Sequence, residues 1–368
     1  MFNKEKNIVI VLDHMNRGGA ETQALYLIKG LIENNYKVHL ISFGNEKGSY
    51  WEEYKNTGAN IHLTKFKSKI LIPPFSKIRN YLVNLKYSLK FKKLIRELNP
   101  YAIIPYTYQP NLICNKFWKY TKAKKCIWNQ RDEGRMFLGR KWELKFLNNS
   151  STIISNSLEG KLFLEKYTKR NIKIIHNGIV LPKSKIEYGQ KDSIKVVMVA
   201  NLHGYKDHIT LLKAWKKVIT YNSGKNLELV LAGSNGNTSE KIFNFIKVNN
   251  LQNSVKCIGV INDVNDLLLS SDIGVFSSKK EGLPNGILEC MAVGLPVVET
   301  KINGSIEALG EDYNYLSPEN NDDLMAEMLL ELILDHKKRE EIGKKNRERI
   351  KKNFTLEKMV NSYISLIE

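Results

Sequence analysis

Residues 272–298 read DIGVFSSKKEGLPNGILECMAVGLPVV, and this stretch decides the fold. Asp272–Phe276 is a short apolar run of buried-strand type. Ser277–Leu283 is polar, contains a glycine and reads as a loop. Pro284 suits the first turn of a helix, where no N–H is needed. Ile287, Leu288, Met291 and Ala292 follow at helical spacing. Gly294 ends that helix and Pro296 prevents its continuation into the strand Val297-Val298. Strand, loop, helix, Gly-Leu-Pro and strand describe one βαβ step. Glu281 lies in the loop and Glu289 about two turns into the helix. Gly282, Leu283, Pro284 and Asn285 lead into the helix, and the backbone N–H groups there, proline excepted, suit a phosphate. A carboxylate beside such a site can hold ribose hydroxyls. The plain alternative is a capped helix carrying two solvated glutamates.

With its glycine and proline punctuation, the stretch resembles glycosyltransferase family 4, retaining transferases of the GT-B fold. The family signature is two Glu separated by seven residues, then Met-Ala-x-Gly-x-Pro-Val. Here these are Glu281, Glu289 and Met291-Ala-Val-Gly-Leu-Pro-Val297. The resemblance implies that Glu289 holds a ribose and that Glu281 lies near a transferred sugar.

Bulk composition is consistent with this. The 368 residues suffice for two or three domains, each with its own core. Cys114, Cys126, Cys257 and Cys290 are scattered, without a CxxC pair. They read as reduced thiols of a cytosolic protein rather than a metal site. No signal peptide opens the chain, and no apolar run approaches the ~18 residues of a membrane-spanning helix. A cytoplasmic location is therefore expected. The net charge of +19 predicts attraction to something anionic: a membrane surface, a nucleotide sugar or a nucleic acid.

The chain opens with an apolar strand, Asn7–Leu12, and a loop ending in Gly18-Gly19. A helix follows with Ala24, Leu25, Ile28, Leu31 and Ile32 on one face. This is the opening of a Rossmann-type half, without a full G-x-G-x-x-G. Gly18-Gly19-Ala20-Glu21 resembles the family's Gly-Gly-Ala/Ser-Glu turn, which implies backbone approach to the donor. A tight turn alone would also explain the glycines.

Residues 65–93 are the most basic part, with Lys65, Lys67, Lys69, Lys77, Arg79, Lys86, Lys90, Lys92 and Lys93 among aromatic and aliphatic residues. Ile78, Leu82, Leu85 and Leu89 share helical spacing. One reading is an ordinary helix packed on a sheet. The other is a peripheral contact with an anionic membrane. No motif that reads RNA or DNA accompanies the charge, so nucleic acid is not expected.

Trp128-Asn-Gln-Arg-Asp-Glu-Gly134 follows a strand directly, which is where open α/β sheets bind ligands. Family members often carry a His in this region; Arg131 and Asp132 stand here instead. They read either as catalytic-side contacts to sugar or acceptor, or as a structural ion pair. His14 and His176 are isolated and read as structural.

Polar residues 183–193 read as a linker. A second Rossmann-like half begins at Ile194–Ala200, with a helix from Asp207, which can serve as its N-cap. The resemblance places an Arg and, five residues on, a Lys against the donor diphosphate. Lys206 matches the Lys, and Asn201 stands where the Arg is usual. Gly259–Asp263 resembles the family's nucleotide-base pocket, and a short helix is read over Asn262–Ser271.

The expected architecture is α/β GT-B: two Rossmann-like domains facing a cleft. Residues 1–182 form the acceptor domain and 194–352 the donor domain, with a last helix, 353–368, returning to the first. The resemblance implies a metal-independent, retaining transfer with no cofactor. The nucleotide diphosphate sugar is the donor substrate, and the acceptor is a glycan or polyprenyl-linked saccharide. Leu283-Pro-Asn285 resembles members that use UDP-sugars, N-acetylhexosamines included. A GT-B epimerase and a non-catalytic member binding nucleotide or membrane are the alternatives.

Overall fold

The computed structural model describes residues 6–73, 78–184, 186–221, 224–261 and 263–368, and the side chains of 78–80 are left aside. Phe75, Lys77 and Asn262 lie outside the described residues, and the side chains of Ile78 and Arg79 are not described. The chain divides into two compact units, residues 1–178 with 356–368, and residues 179–355.

The first unit runs β1 (Asn7–Leu12), α1 (Gly19–Glu33), β2 (Lys37–Ser42), α2 (Trp51–Lys55), β3 (Asn60–Leu63), α3 (Ile78–Glu97), β4 (Ala102–Pro105), α4 (Tyr108–Phe117), β5 (Lys125–Gln130), α5 (Lys141–Asn149), β6 (Thr152–Ser155), α6 (Leu158–Glu165) and β7 (Ile172–Ile174). Its seven strands are parallel in the order β3-β2-β1-β4-β5-β6-β7. Side chains alternate across the sheet. Ile8, Ile10 and Leu12 face α1, while Val9 and Val11 face Phe91, Ile95 and Phe117 on the other side.

The second unit runs β8 (Ser193–Val199), α7 (His208–Thr220), β9 (Asn226–Ala232), α8 (Ser239–Val248), β10 (Val255–Gly259), α9 (Val264–Leu269), β11 (Ile273–Val275), α10 (Asn285–Val293), β12 (Val297–Thr300), α11 (Asn303–Leu309), β13 (Leu316–Ser317), α12 (Asp322–Leu334) and α13 (His336–Asn353). Its six strands are parallel in the order β10-β9-β8-β11-β12-β13, around one apolar core. The near-continuous Val, Ile and Leu runs follow from strands covered on both faces.

The final helix, α14 (Leu356–Ile367), belongs to the first unit. Met359, Val360, Tyr363, Leu366 and Ile367 recur every three or four residues and bury one stripe against α1 and the β1 face. Gly30 permits the closest approach, since a methyl group there would run into Val360.

Helix α3 divides its faces unlike an ordinary sheet-covering helix. Asn84, Ser88, Phe91 and Ile95 point inward. Tyr81, Leu82, Leu85 and Leu89 point outward, 48 to 61% exposed. The polar inward residues are satisfied locally: Asn84 donates to the Ile70 carbonyl at 2.6 Å.

Gly30→Ala is expected to destabilise the protein by about 1–2 kcal/mol, overpacking of about 1–3 kcal/mol offset in part by better helix propensity. Chemical denaturation should show Val360→Ala recovering most of the loss.

A second expectation concerns His39 on β2 and His62 on β3, whose ring nitrogens lie 3.2 Å apart. Burial lowers both pKa values, that of His39 to about 4, with the neighbouring imidazole adding to it. The unfolded chain, with His near ~6.5, then binds more protons than the folded one at mildly acid pH. The contribution is complete above ~6.5 and is lost as pH falls toward about 4. Urea midpoints at pH 7, 6 and 5 should fall less steeply in His62→Asn.

Candidate active site

In the second unit the strand order reverses between β8 and β11. Successive strands run outward on one side from β8 and on the other from β11. The loops leaving their C-terminal ends part at that point, where open α/β sheets bind ligands. The two loops, 200–207 and 276–284, are stitched together. The Ser277 hydroxyl meets the carbonyls of Lys206 at 3.1 Å and Asp207 at 2.9 Å. The Lys279 N–H donates to the Tyr205 carbonyl at 2.8 Å, and its ammonium lies 3.2 Å from Asp207.

Across this seam Lys206 forms an ion pair with Glu281, and their side chains are only 16% and 11% exposed. The Ser278 hydroxyl donates to the same Glu281 oxygen at 3.0 Å. Burial opposes the charge on Lys206, but the Glu281 carboxylate outweighs it and holds the ammonium pKa above its ordinary value.

Helix α10 begins at Asn285, one residue later than expected from the sequence. Pro284 is its N-cap rather than its first-turn residue: the ring fixes φ at −76°, but ψ of 115° is extended. Glu289 therefore stands little more than one turn into the helix rather than about two. It is half-buried, and burial pushes its pKa up to about 7. Gly282 and Leu283 are buried beneath this end of the helix. Gly304, at the start of α11, lies against the Gly282 carbonyl, where a methyl group would not fit.

Asn201 accepts a hydrogen bond from the Ser234 N–H at 2.8 Å, which ties the β8 loop to the β9 loop. His203 stacks on Tyr205, with ring centroids 5.8 Å apart. Asp207 occupies the N-cap position of α7 with left-handed φ of 46° and bonds the Thr210 hydroxyl at 2.7 Å instead of capping a backbone N–H. Gly259 has φ of 69°, with open space where a side chain would lie. The short helix near it covers Val264–Leu269, less than the 262–271 read from the sequence.

The first unit reverses its strand order between β1 and β4. Gly18 is extended, at φ −170°, so left-handed geometry does not account for it. Space does: a methyl group there would strike the Glu21 carboxylate, which folds back over the start of α1. Gly19 is the first residue of that helix. Burial raises the Glu21 pKa against the pull of His14, whose Nδ1 lies 3.7 Å away.

Arg131 leaves the C-terminal end of β5. It donates to Asn177 Oδ1 at 2.5 Å and lies over the Tyr106 ring at 5.2 Å, facing the charge of Glu21. Its Nε and Nη1 are buried without a hydrogen-bond partner. Asp132 turns away, accepting from Gln130 Nε2 at 2.6 Å and the Gly134 N–H at 2.9 Å. The two residues therefore do not form the ion pair that adjacency allows. Asp132 shapes its own loop, and burial raises its pKa.

Two family profiles match the chain almost end to end. "Glycosyltransferase Family 4" matches residues 17–182 and "Glycosyl transferases group 1" matches 182–349. The chain belongs to these glycosyltransferases. A glycosyltransferase of Haemophilus influenzae, described as uncharacterized, is 25% identical over 357 residues, covering 95% of this chain and 96% of that protein. A Campylobacter jejuni protein is 24% identical over 360 residues, 93% of this chain and 94% of its own. It is named N-acetylgalactosamine-N,N'-diacetylbacillosaminyl-diphospho-undecaprenol 4-alpha-N-acetylgalactosaminyltransferase. The crystal structure of Anabaena HepE in complex with UDP and glucose superposes with a TM-score of 0.81, covering 98% of each chain at 17% identity. The fold is GT-B, with two parallel-sheet α/β domains.

Beside the Lys206–Glu281 pair, two buried groups escape a reading by motif. Glu299, the third residue of β12, is fully buried, and neither carboxyl oxygen makes a well-formed hydrogen bond. A charged residue inside the apolar run Val297-Val298-Glu299 was the available signal. His208, the first residue of α7, is buried with both ring nitrogens unbonded, and burial, then the charge of Lys206, lower its pKa to about 4. No spacing marks it.

The Lys206–Glu281 pair should behave as a coupled unit. Lys206→Ala or Glu281→Ala alone is expected to cost about 3 kcal/mol, because each strands a largely buried charge. The double variant should cost clearly less than the sum. A double-mutant cycle by urea denaturation measures this; additive losses would show the two side chains to be uncoupled.

Proposed function

We propose that this glycosyltransferase moves a hexose or N-acetylhexosamine, with retention, from a nucleotide diphosphate sugar to a lipid-linked or oligosaccharide acceptor in glycan assembly. The observation that carries this reading is the Lys206–Glu281 pair at the β8/β11 switch, beside the start of α10, with Glu289 on that helix. Lys206 and the positive end of α10 meet the charge of the leaving diphosphate. Glu289 accepts hydrogen bonds from the ribose. Once the phosphates draw Lys206 away, Glu281 faces the sugar and favours oxocarbenium charge. Retention then proceeds by front-face attack of the acceptor hydroxyl, whose proton passes to the departing phosphate. Arg131 offers its unbonded N–H groups to sugar or acceptor, in the region where family members often carry a His. No metal or cofactor is assigned. The UDP of the HepE complex supports a UDP-linked donor, and the name of the Campylobacter relative supports a diphospho-undecaprenol-linked acceptor.

Transfer assays with UDP- and GDP-sugars and an undecaprenyl-diphosphate-linked acceptor test the reading, with product linkage determined by NMR. An α-linked product from an α-linked donor is expected. Lys206→Ala and Glu281→Gln should each lower kcat by about 10²–10³. Transfer with unchanged kcat in both variants would reject the site. Donor affinity should rise with pH through about 7, where Glu289 becomes the better acceptor, and Glu289→Gln should abolish that rise.

We further assign the outward row of α3 to an anionic bilayer. Tyr81, Leu82, Leu85 and Leu89 form one apolar face, flanked by Lys86, Lys90 and Lys93, and Lys65, Lys67 and Lys69 are exposed nearby. No described helix is long and apolar enough to cross a membrane. An apolar row bordered by ammonium groups suits the headgroup boundary, each lysine contributing about 1 kcal/mol. Flotation with phosphatidylglycerol vesicles at low salt should recover the protein, and Leu82→Glu/Leu85→Glu should weaken recovery at least tenfold. Equal recovery of wild type and variant would remove α3 from the contact.

A further inference from the structure

Glu299 is a fully buried carboxyl that the transfer chemistry leaves unused. Its backbone is fixed in the sheet, where its N–H donates to the Tyr315 carbonyl at 3.0 Å. Its side chain lies among four neighbouring elements. Lys206 faces it from the turn after β8, and Glu281 from the loop after β11. The Cys290 thiol faces it from α10, and the buried Ser305 hydroxyl, close enough to favour the carboxylate, from α11. The close seat of Gly304 on the Gly282 carbonyl brings the start of α11 against the Glu281 loop. A carboxyl so enclosed, next to a second carboxylate, favours its neutral form. Burial, then the charge of Glu281, push its pKa well above the ordinary range, against the pull of Lys206, the Ser305 hydroxyl and the Thr300 N–H.

We propose that Glu299 is a positioning residue for Lys206: as a neutral acid it supports the ammonium from behind and leaves it available to the donor diphosphate, and once ionised it competes with the diphosphate for that ammonium. The proposal rests on the reading of Lys206 as a diphosphate ligand. The charge balance motivates it. Lys206 and Glu281 together are neutral, so an anionic diphosphate can displace Glu281 without meeting net negative charge. A second carboxylate would make the seam negative before the donor arrives. A proton on Glu299 therefore keeps the site open to phosphate, and its loss sets an alkaline limit on donor binding.

Calorimetric titration of UDP-glucose across about pH 6–9 tests this, because its diphosphate does not change charge in that range. Wild-type affinity should decline at the alkaline end, approaching about tenfold per pH unit above the Glu299 pKa. Glu299→Ala should weaken binding near pH 7 and, like any residue without a carboxyl, show no alkaline decline. Glu299→Gln, which copies the neutral acid, should restore affinity near pH 7 and remove the alkaline decline. Glu289→Gln should keep that decline, which separates the two carboxyls. A decline that persists in Glu299→Gln overturns the proposal. A ¹³C NMR titration, with Glu299→Gln identifying the signal, gives a readout that needs no nucleotide. Ionisation near the ordinary value of about 4.3 overturns the proposal, and a carboxyl still neutral at pH 7 supports it. Failure of the underlying reading has its own mark: Lys206→Ala binds UDP-glucose as tightly as wild type.

Discussion

A largely buried lysine and a largely buried glutamate hold together the two loops at the β8/β11 switch. Reversal of strand order separates the β8 and β11 loops, and nothing in the sheet itself draws them back. Lys206 and Glu281 bridge the gap, with Ser277 and Lys279 fixing the backbone beneath them. Such a pair is a poor source of net stability, since desolvation consumes most of the Coulombic gain. It is well suited to exchange. In the proposed function, a diphosphate offers Lys206 more negative charge than Glu281 does and so releases the carboxylate. On that proposal, one contact serves as latch without the donor and as ligand set with it.

The two sheets repeat this layout with different chemistry. Each has a non-glycine residue in a left-handed backbone at its switch: Thr107 after β4, with φ of 68°, and Asp207 before α7. Side chains rarely adopt such geometry unless surrounding structure imposes it. In the first unit the polar groups converging near the switch are Glu21, Arg131 and Asn177, contributed by α1, by the β5 edge and by the segment after β7. No local run of sequence contains them together.

That dispersion explains what could and could not be read from the residues. The βαβ step over 272–298 is local: hydrophobic period, a glycine stop and two prolines are enough to find it, and Glu281 and Glu289 with it. The start of α10 is off by one residue because proline fixes φ and leaves ψ to the surrounding loop. Glu299 escapes notice because its significance lies in burial beside Lys206, far away in sequence. Arg131 and Asp132 look like partners by adjacency, yet neighbouring residues at a strand exit turn to different sides. The apolar row of α3 has the spacing of a core face, and only the inward placement of Asn84 and Ser88 shows that the other side meets the core.

The return of α14 has a consequence for how the chain is made. The first unit needs Met359, Val360 and Tyr363 to cover the apolar surface of α1, and these are synthesised only after the whole of the second unit. The second unit, residues 179–355, is continuous and has all its strands before α14 emerges. During synthesis the N-terminal sheet therefore waits with one flank of Ala24, Leu27, Ile28 and Leu31 uncovered while its neighbour is completed. The domain that starts first finishes last. A nascent chain of this design exposes an adhesive surface for the length of a whole domain, the interval in which a cell must shield it.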